Sequence, residues 1–183
     1  MKVIHTALPG VLLIEPQVFG DARGYFFETW QAQRYRQHGI EANFVQDNLS
    51  FSQRGVLRGL HYQYENVQGK LVYVLQGSVF DVVVDIRQDS AHFGEWFGVE
   101  LSAENKRQLY VPPGFAHGFC VTSESAQFAY KCTDVYNPAV EVTILWNDPA
   151  IGIDWPLANP ILADKDKKGI PLSAVPTNKL LRI

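Results

Sequence analysis

Gly55-Val56-Leu57-Arg58-Gly59-Leu60-His61-Tyr62-Gln63 places a guanidinium and an imidazole three residues apart in a run dominated by Val, Leu, Gly and Tyr. Apolar residues of this kind between turn signals make a buried or half-buried strand. Arginine is seldom buried without a partner, so a strand carrying Arg58 and His61 is expected to wall a pocket or face an acid. Side chains alternate along a strand, and Arg58 and His61 have opposite parity. Both reach one pocket only if the chain departs from regular alternation. Gly59 is the place for a bulge or sharp twist.

Outward from this stretch the chain reads as many short strands. Val3-Ile4 and Val11–Ile14 flank Pro9-Gly10, and Asp21–Glu28 is a turn running into a strand. Further strands are expected at Phe44–Asn48, Lys70–Leu75, Val79–Ile86, Trp96–Leu101, Gln108–Val111, Gly118–Thr122, Gln127–Thr133 and Val142–Trp146. Gln76-Gly77, Pro113-Gly114, Asn137-Pro138 and Asp148-Pro149 mark turns between them. The best helical segment is Thr29–Gln37, with Thr29 to cap it, Trp30 and Arg34 on one face and Gly39 to stop it. The run Asp164–Gly169 suits a surface helical turn or a loop. This spacing of strands and turns predicts an all-β, antiparallel sandwich or barrel. No repeat or linker divides the chain, so residues 1–183 are expected to form a single domain.

Composition narrows the partners. A net charge of −3 gives no reason to expect nucleic acid or an anionic membrane. The start of the chain has no apolar stretch of signal-peptide length, and nowhere do about 18 apolar residues run together. A cytoplasmic protein is therefore expected, with Cys120 and Cys132 as free thiols in strand-like surroundings.

Several residues carry chemistry. Lys70 shares a face with Val72 and Val74, which makes it either a snorkelling strand-end lysine or a cation aimed at negative charge in a barrel mouth. His117 follows the rigid Pro112-Pro113-Gly114 turn in aromatic surroundings, where a satisfied core histidine is the commoner outcome. Tyr130, on a strand, is by default a core or interface tyrosine. Asp166 is either a solvated loop residue or the carboxylate that orients His61. The Pro-x-Gly-x-x-His spacing at 112–117 resembles one half of the cupin signature, and Gly55 with His61-Tyr62-Gln63 resembles the other. Gln63 replaces the second histidine, and no acid falls in register near Val67 and Gln68. Two histidines alone make a poor metal site, so no metal is expected on a cupin-like scaffold.

Taken together, the blocks resemble one family. They are Asp21-x-Arg23-Gly24-x-Phe26-x-Glu28, Phe44–Asn48 with Ser50, Gly55–Gln63, Lys70-Leu71-Val72, Val79–Asp85, Pro112–Phe119, Tyr130–Asp134 and Trp146–Pro156. In order over nearly the whole chain, they are similar to the dTDP-4-dehydrorhamnose 3,5-epimerases. The resemblance implies a cupin-like antiparallel jelly-roll barrel with short peripheral helices. It implies a dTDP-4-keto-6-deoxy sugar as substrate, no cofactor, and a homodimer whose N-terminal strands join the partner's sheet. Under it His61 matches the general base, Asp166 the acid that orients it, Lys70 the cation that stabilises an enolate and Tyr130 the general acid. Arg23, Glu28, Gln46, Asp47, Asn48, Arg58, His117, Glu141 and Lys165 match substrate-contacting positions. Two departures are minor: Gln76 where arginine is commoner, and Val135 where an aromatic is common. An epimerase acting at one carbon only, a metal-dependent cupin and a non-catalytic sugar-nucleotide binder remain as alternatives.

Overall fold

The computed structural model describes residues 1–182. Thirteen strands dominate it: β1 (Lys2–His5), β2 (Leu12–Glu15), β3 (Phe19–Asp21), β4 (Gly24–Phe26), β5 (Gln46–Gln53), β6 (Leu57–Gln63), β7 (Lys70–Gln76), β8 (Ser78–Asp85), β9 (Trp96–Ser102), β10 (Gln108–Val111), β11 (Phe115–Val121), β12 (Ser125–Cys132) and β13 (Glu141–Thr143). Two short helices, α1 (Ala32–Arg36) and α2 (Asp164–Lys167), lie at the periphery. Six strands form one sheet in the order β1-β2-β10-β7-β12-β5, and five form the other in the order β13-β6-β11-β8-β9. All the ladders within these sheets are antiparallel. The strand pattern's antiparallel sandwich or barrel is here the cupin-like jelly roll that the family resemblance implied.

Three apolar clusters hold the layers. Val72, Val74 and Phe128 from the larger sheet meet Val83, Phe115, Phe119 and Val121 from the smaller one to fill the space between the sheets. Beneath the smaller sheet, Leu60, Tyr62, Val82 and Val84 pack against Ile144, Ile151, Leu172, Val175 and Leu181 of the C-terminal segment. On the outside of the larger sheet, Leu12, Ile14 and Leu71 are covered by Tyr35 and Ile40. The period-2 alternation decides which residue joins which cluster: Leu71 goes outward while Val72 goes inward.

Several boundaries differ from the sequence expectation, each for a local reason. The first helix starts three residues late because Gln31, not Thr29, supplies the capping oxygen, to the Arg34 amide. Thr29 instead offers its carbonyl to Tyr35 and Gln108. Trp30 and Arg34 do not share a face: Trp30 packs on Tyr35 and Phe44, while Arg34 pairs with Glu28. The strand predicted at Phe44–Asn48 starts instead at Gln46 and runs on to Gln53, the length over which it pairs with β12. The strand predicted from Gly118 starts at Phe115, so His117 lies in a strand and not in the loop ahead of it. Cys120 and Cys132 are both buried free thiols.

The opening stretch is irregular where parity demanded it. His61 pairs with His117 and Arg58 with Phe119, so three steps along β6 span two along β11. That extra residue is a bulge. Gly59 sits in it at a φ of 117°, a conformation that side chains disfavour. A Cβ on Gly59 would lie 2.6 Å from the Cα of Gly118 and 2.7 Å from the His117 carbonyl oxygen. Both contacts are with backbone, which has no room to yield. Gly59→Ala is therefore expected to lower the thermal midpoint sharply, by the equivalent of about 3 kcal/mol or more. A variant melting with the wild type would show that the two strands separate easily here.

Candidate active site

Between the two sheets lies a pocket whose walls come from opposite layers. The smaller sheet supplies Arg58 and His61 from β6, His117 from β11 and Glu141 from β13. The larger sheet supplies Gln46 and Asn48 from β5, Lys70 from β7 and Tyr130 from β12. α2 closes one side with Lys165 and Asp166. The bulge at Gly59 puts Arg58 on the His61 side, where regular pleating would have turned it away.

His61 Nε2 lies 2.5 Å from Asp166 Oδ1. Asp166 is 1% exposed, which excludes the solvated-loop reading of this residue. With Nε2 held by the carboxylate, His61 Nδ1 is the nitrogen left to work in the pocket. Its nearest acid is Glu141, at 3.9 Å, and that carboxylate already accepts from Lys165 Nζ at 2.8 Å. A second buried dyad stands beside the first: His117 Nε2 contacts both carboxylate oxygens of Asp81, at 3.0 and 2.9 Å. Burial pushes the Asp81 carboxyl upward, against the opposing pull of His117. Neighbouring β8 positions are Val82, Val83 and Val84, so Asp81 looked like part of a core strand and was missed. An acid in such a run is the signal that would have found it.

Lys70 and Tyr130 are the groups of interest on the other wall. Lys70 is half-buried, and among the described residues no carboxylate lies within 4.0 Å of its ammonium. Burial lowers its pKa, with the nearby Cys132, Glu141 and Asp81 resisting. The Tyr130 phenol is pushed the other way, chiefly by burial, so it keeps its proton at neutral pH. The arrangement is an imidazole backed by a carboxylate on one wall, a protonated phenol on the other, and an unpaired cation between layers. Such a set can remove a proton from one face of a carbon acid, hold the developing negative charge and return a proton to the other face.

Three of the expected substrate contacts are not in this pocket. Asp47 lies between Gln46 and Asn48 on β5, so alternation turns it outward, where Lys131 Nζ reaches it at 2.9 Å. Arg23 projects from the β3–β4 hairpin with 90% of its side chain exposed and pairs with Asp21. Glu28 follows that hairpin and pairs with Arg34 at 2.6 Å. At the mouth of the pocket, Tyr136 was not expected. Its hydroxyl donates to Glu141 and its amide to Gln46 Oε1. Gln63, where a cupin would carry its second histidine, is buried and holds the 134–137 loop through Val135 O and the Asn137 amide. Among the described residues no three His, Cys, Asp or Glu side chains cluster as a metal would require.

Comparisons with known proteins identify the family. The sequence model of the dTDP-4-dehydrorhamnose 3,5-epimerase family matches residues 5–174. The chain is 58% identical over 169 residues to that epimerase from Salmonella typhimurium, covering 91% of this chain and 92% of the relative. It is 56% identical to the Neisseria gonorrhoeae one, covering 92% of this chain but 52% of that longer protein. The crystal structure of the Legionella pneumophila dTDP-6-deoxy-D-glucose-3,5-epimerase, in complex with dTDP-4-keto-L-rhamnose, superposes with a TM-score of 0.97. Its identity is 53%, and the match covers 100% of this chain and 98% of that one. A 3'-monoepimerase from Streptomyces bikiniensis, complexed with dTDP-quinovose, gives a TM-score of 0.85 at 32% identity over 92% of this chain and 86% of that one.

An unpaired cation held in a pocket costs stability for the sake of something other than the fold. Lys70→Met is expected to raise the thermal midpoint, by the equivalent of roughly 1 kcal/mol, read by calorimetry. A lower midpoint would mean that Lys70 has a stabilising partner in solution.

Proposed function

The chain belongs to the dTDP-4-dehydrorhamnose 3,5-epimerase family, and from that premise we propose that it inverts carbons 3 and 5 of dTDP-4-dehydro-6-deoxy-D-glucose. The product is dTDP-4-dehydro-L-rhamnose, on the way to dTDP-L-rhamnose. The ketone at carbon 4 acidifies the protons on both neighbouring carbons, so one site for the carbonyl oxygen serves two successive inversions. The observation that carries this reading is the placement of His61 and Tyr130 on opposite walls of one pocket.

His61 Nδ1 takes the proton from carbon 3 or 5, and imidazole is the side chain suited to that near neutral pH. Asp166 fixes the ring and stabilises the imidazolium that forms. The electron pair of the broken C–H bond moves into an enolate whose oxygen is held by the Lys70 ammonium, with His117, steadied by Asp81, beside it. Tyr130 then protonates the carbon from the other wall; its phenolate regains a proton from solvent and the His61 imidazolium gives its own up there, which readies both for the second carbon. Removal and return on opposite faces is what inverts the centre. Gln46, Asn48, Arg58, Glu141 and Lys165 hold the substrate, the forked donors of Arg58 being suited to oxyanions and hydroxyls.

The active unit is a homodimer in which N-terminal strands join the partner's sheet. β1 is an edge strand of the larger sheet. The β3–β4 hairpin leaves Phe19, Tyr25 and Phe26 about 60% exposed, and Leu49 and Phe51 on β5 are exposed to a similar extent. Apolar surface on this scale marks a protein contact. Arg23 and Glu28 then belong to the partner's pocket, which explains their distance from their own. The two free buried thiols suit the reducing cytoplasm.

Incubation with the keto sugar in heavy water is expected to place deuterium at both carbons 3 and 5, read by NMR. His61→Ala should abolish that exchange. Label at a single carbon would instead favour a monoepimerase, and undiminished exchange in the variant would remove His61 as the base. Mixing inactive Arg23→Ala and His61→Ala chains should restore activity to roughly a quarter of wild type, because half the dimers then carry one intact site. No recovery on mixing would place Arg23 outside the partner's site.

A further inference from the structure

The inward face of β5 presents four polar side chains in a row: Gln46, Asn48, Ser50 and Ser52. Three of them have partners. Gln46 Nε2 donates to Asn48 Oδ1 at 3.0 Å, Asn48 Nδ2 contacts Cys132 Sγ at 3.7 Å, and Ser52 Oγ accepts from Arg58 Nε at 3.0 Å. Ser50 does not. Among the described residues, its Oγ is the one buried side-chain nitrogen or oxygen without a hydrogen-bond partner. Buried hydroxyls are almost always paired, because leaving one unpaired forfeits its hydration for nothing. This one also lines the pocket.

Register shows what lies around it. Ser50 pairs with Phe128, and Asn48, the next inward residue, pairs with Tyr130. Phe128 stacks on Phe119 at 4.1 Å between ring centres, and both are buried. The Ser50 hydroxyl thus stands at the edge of an apolar floor, one inward step from the Tyr130 phenol. The more exposed end of the row is at Gln46, which bonds the Tyr136 amide; four steps along the strand take it to Ser50, roughly 13 Å.

We infer that Ser50 is a specificity-determining residue, whose hydroxyl bonds an oxygen of the hexose and sets the ring over Phe128 at the height of Tyr130. The inference rests on the epimerase reading of the same pocket and names a residue that reading leaves idle. The fold gains nothing from the hydroxyl, so removing it leaves stability untouched or improved, whereas a structural serine would show the reverse.

Ser50→Ala is to be compared with wild type by thermal midpoint, by calorimetric Kd for dTDP and for dTDP-glucose, and by kcat/KM on the keto sugar. The expected result is an unchanged or higher midpoint, an unchanged Kd for dTDP, and roughly tenfold losses in dTDP-glucose affinity and in kcat/KM. Ser50→Thr, which keeps a hydroxyl, should recover part of the loss. A lower midpoint with intact sugar affinity would overturn the proposal by making Ser50 structural. An equal loss of dTDP affinity would overturn it by moving the contact to the nucleotide, and no change in any measurement would do so by leaving the hydroxyl idle. A wild-type chain that binds dTDP-glucose without turning over the keto sugar would count against the epimerase reading alone, since the sugar-affinity comparison still decides Ser50.

Discussion

Gly59 and Gly118 face one another across β6 and β11 at a distance that a single methyl group on either would close. That approach makes room for one extra residue in β6, and the extra residue turns Arg58 to the side of His61. Without it the smaller sheet would offer the pocket an imidazole and send the guanidinium to the far face. The same step brings His61 opposite His117, so that the two carboxylate-backed imidazoles stand side by side. Much of the site therefore hangs on a steric allowance of one hydrogen atom at two positions.

The two sheets divide the work. The smaller carries the imidazoles and the acids behind them, Asp81 on β8 and, beyond the sheet edge, Asp166 on α2. The larger carries the phenol, the ammonium and the polar row of β5. Each set is laid out by the alternation of its own strand: Lys70, Val72 and Val74 point inward together, and so do Phe128, Tyr130 and Cys132. A sandwich built in this way puts groups from its two layers on opposite faces of whatever lies between them. Inversion at carbon needs that geometry, and a single sheet with a solvated face would not provide it.

Burial tunes the members in opposite senses. It keeps the Tyr130 proton on, pulls the Lys70 pKa down, and raises the Asp81 carboxyl against the attraction of His117. One pocket thus supplies a phenol that stays an acid and an ammonium short of counter-charge.

Strand pattern and all-β class were legible in the chain alone, because period-2 alternation and turn residues are local properties, and the ordered sequence blocks pointed to the family. The sequence also located the departure at Gly59, since Arg58 and His61 could not otherwise share a wall. Tertiary structure decided the rest. It carried Asp166 from a charged surface-like run into a buried contact with His61, 105 residues away in the chain. It found the partner of His117 in Asp81, which local pattern had hidden among valines. It turned Asp47 outward and left Arg23 and Glu28 outside the pocket of their own chain. These outcomes depend on which strands become neighbours. That is fixed by how distant apolar faces bury one another, and no short window of residues contains it.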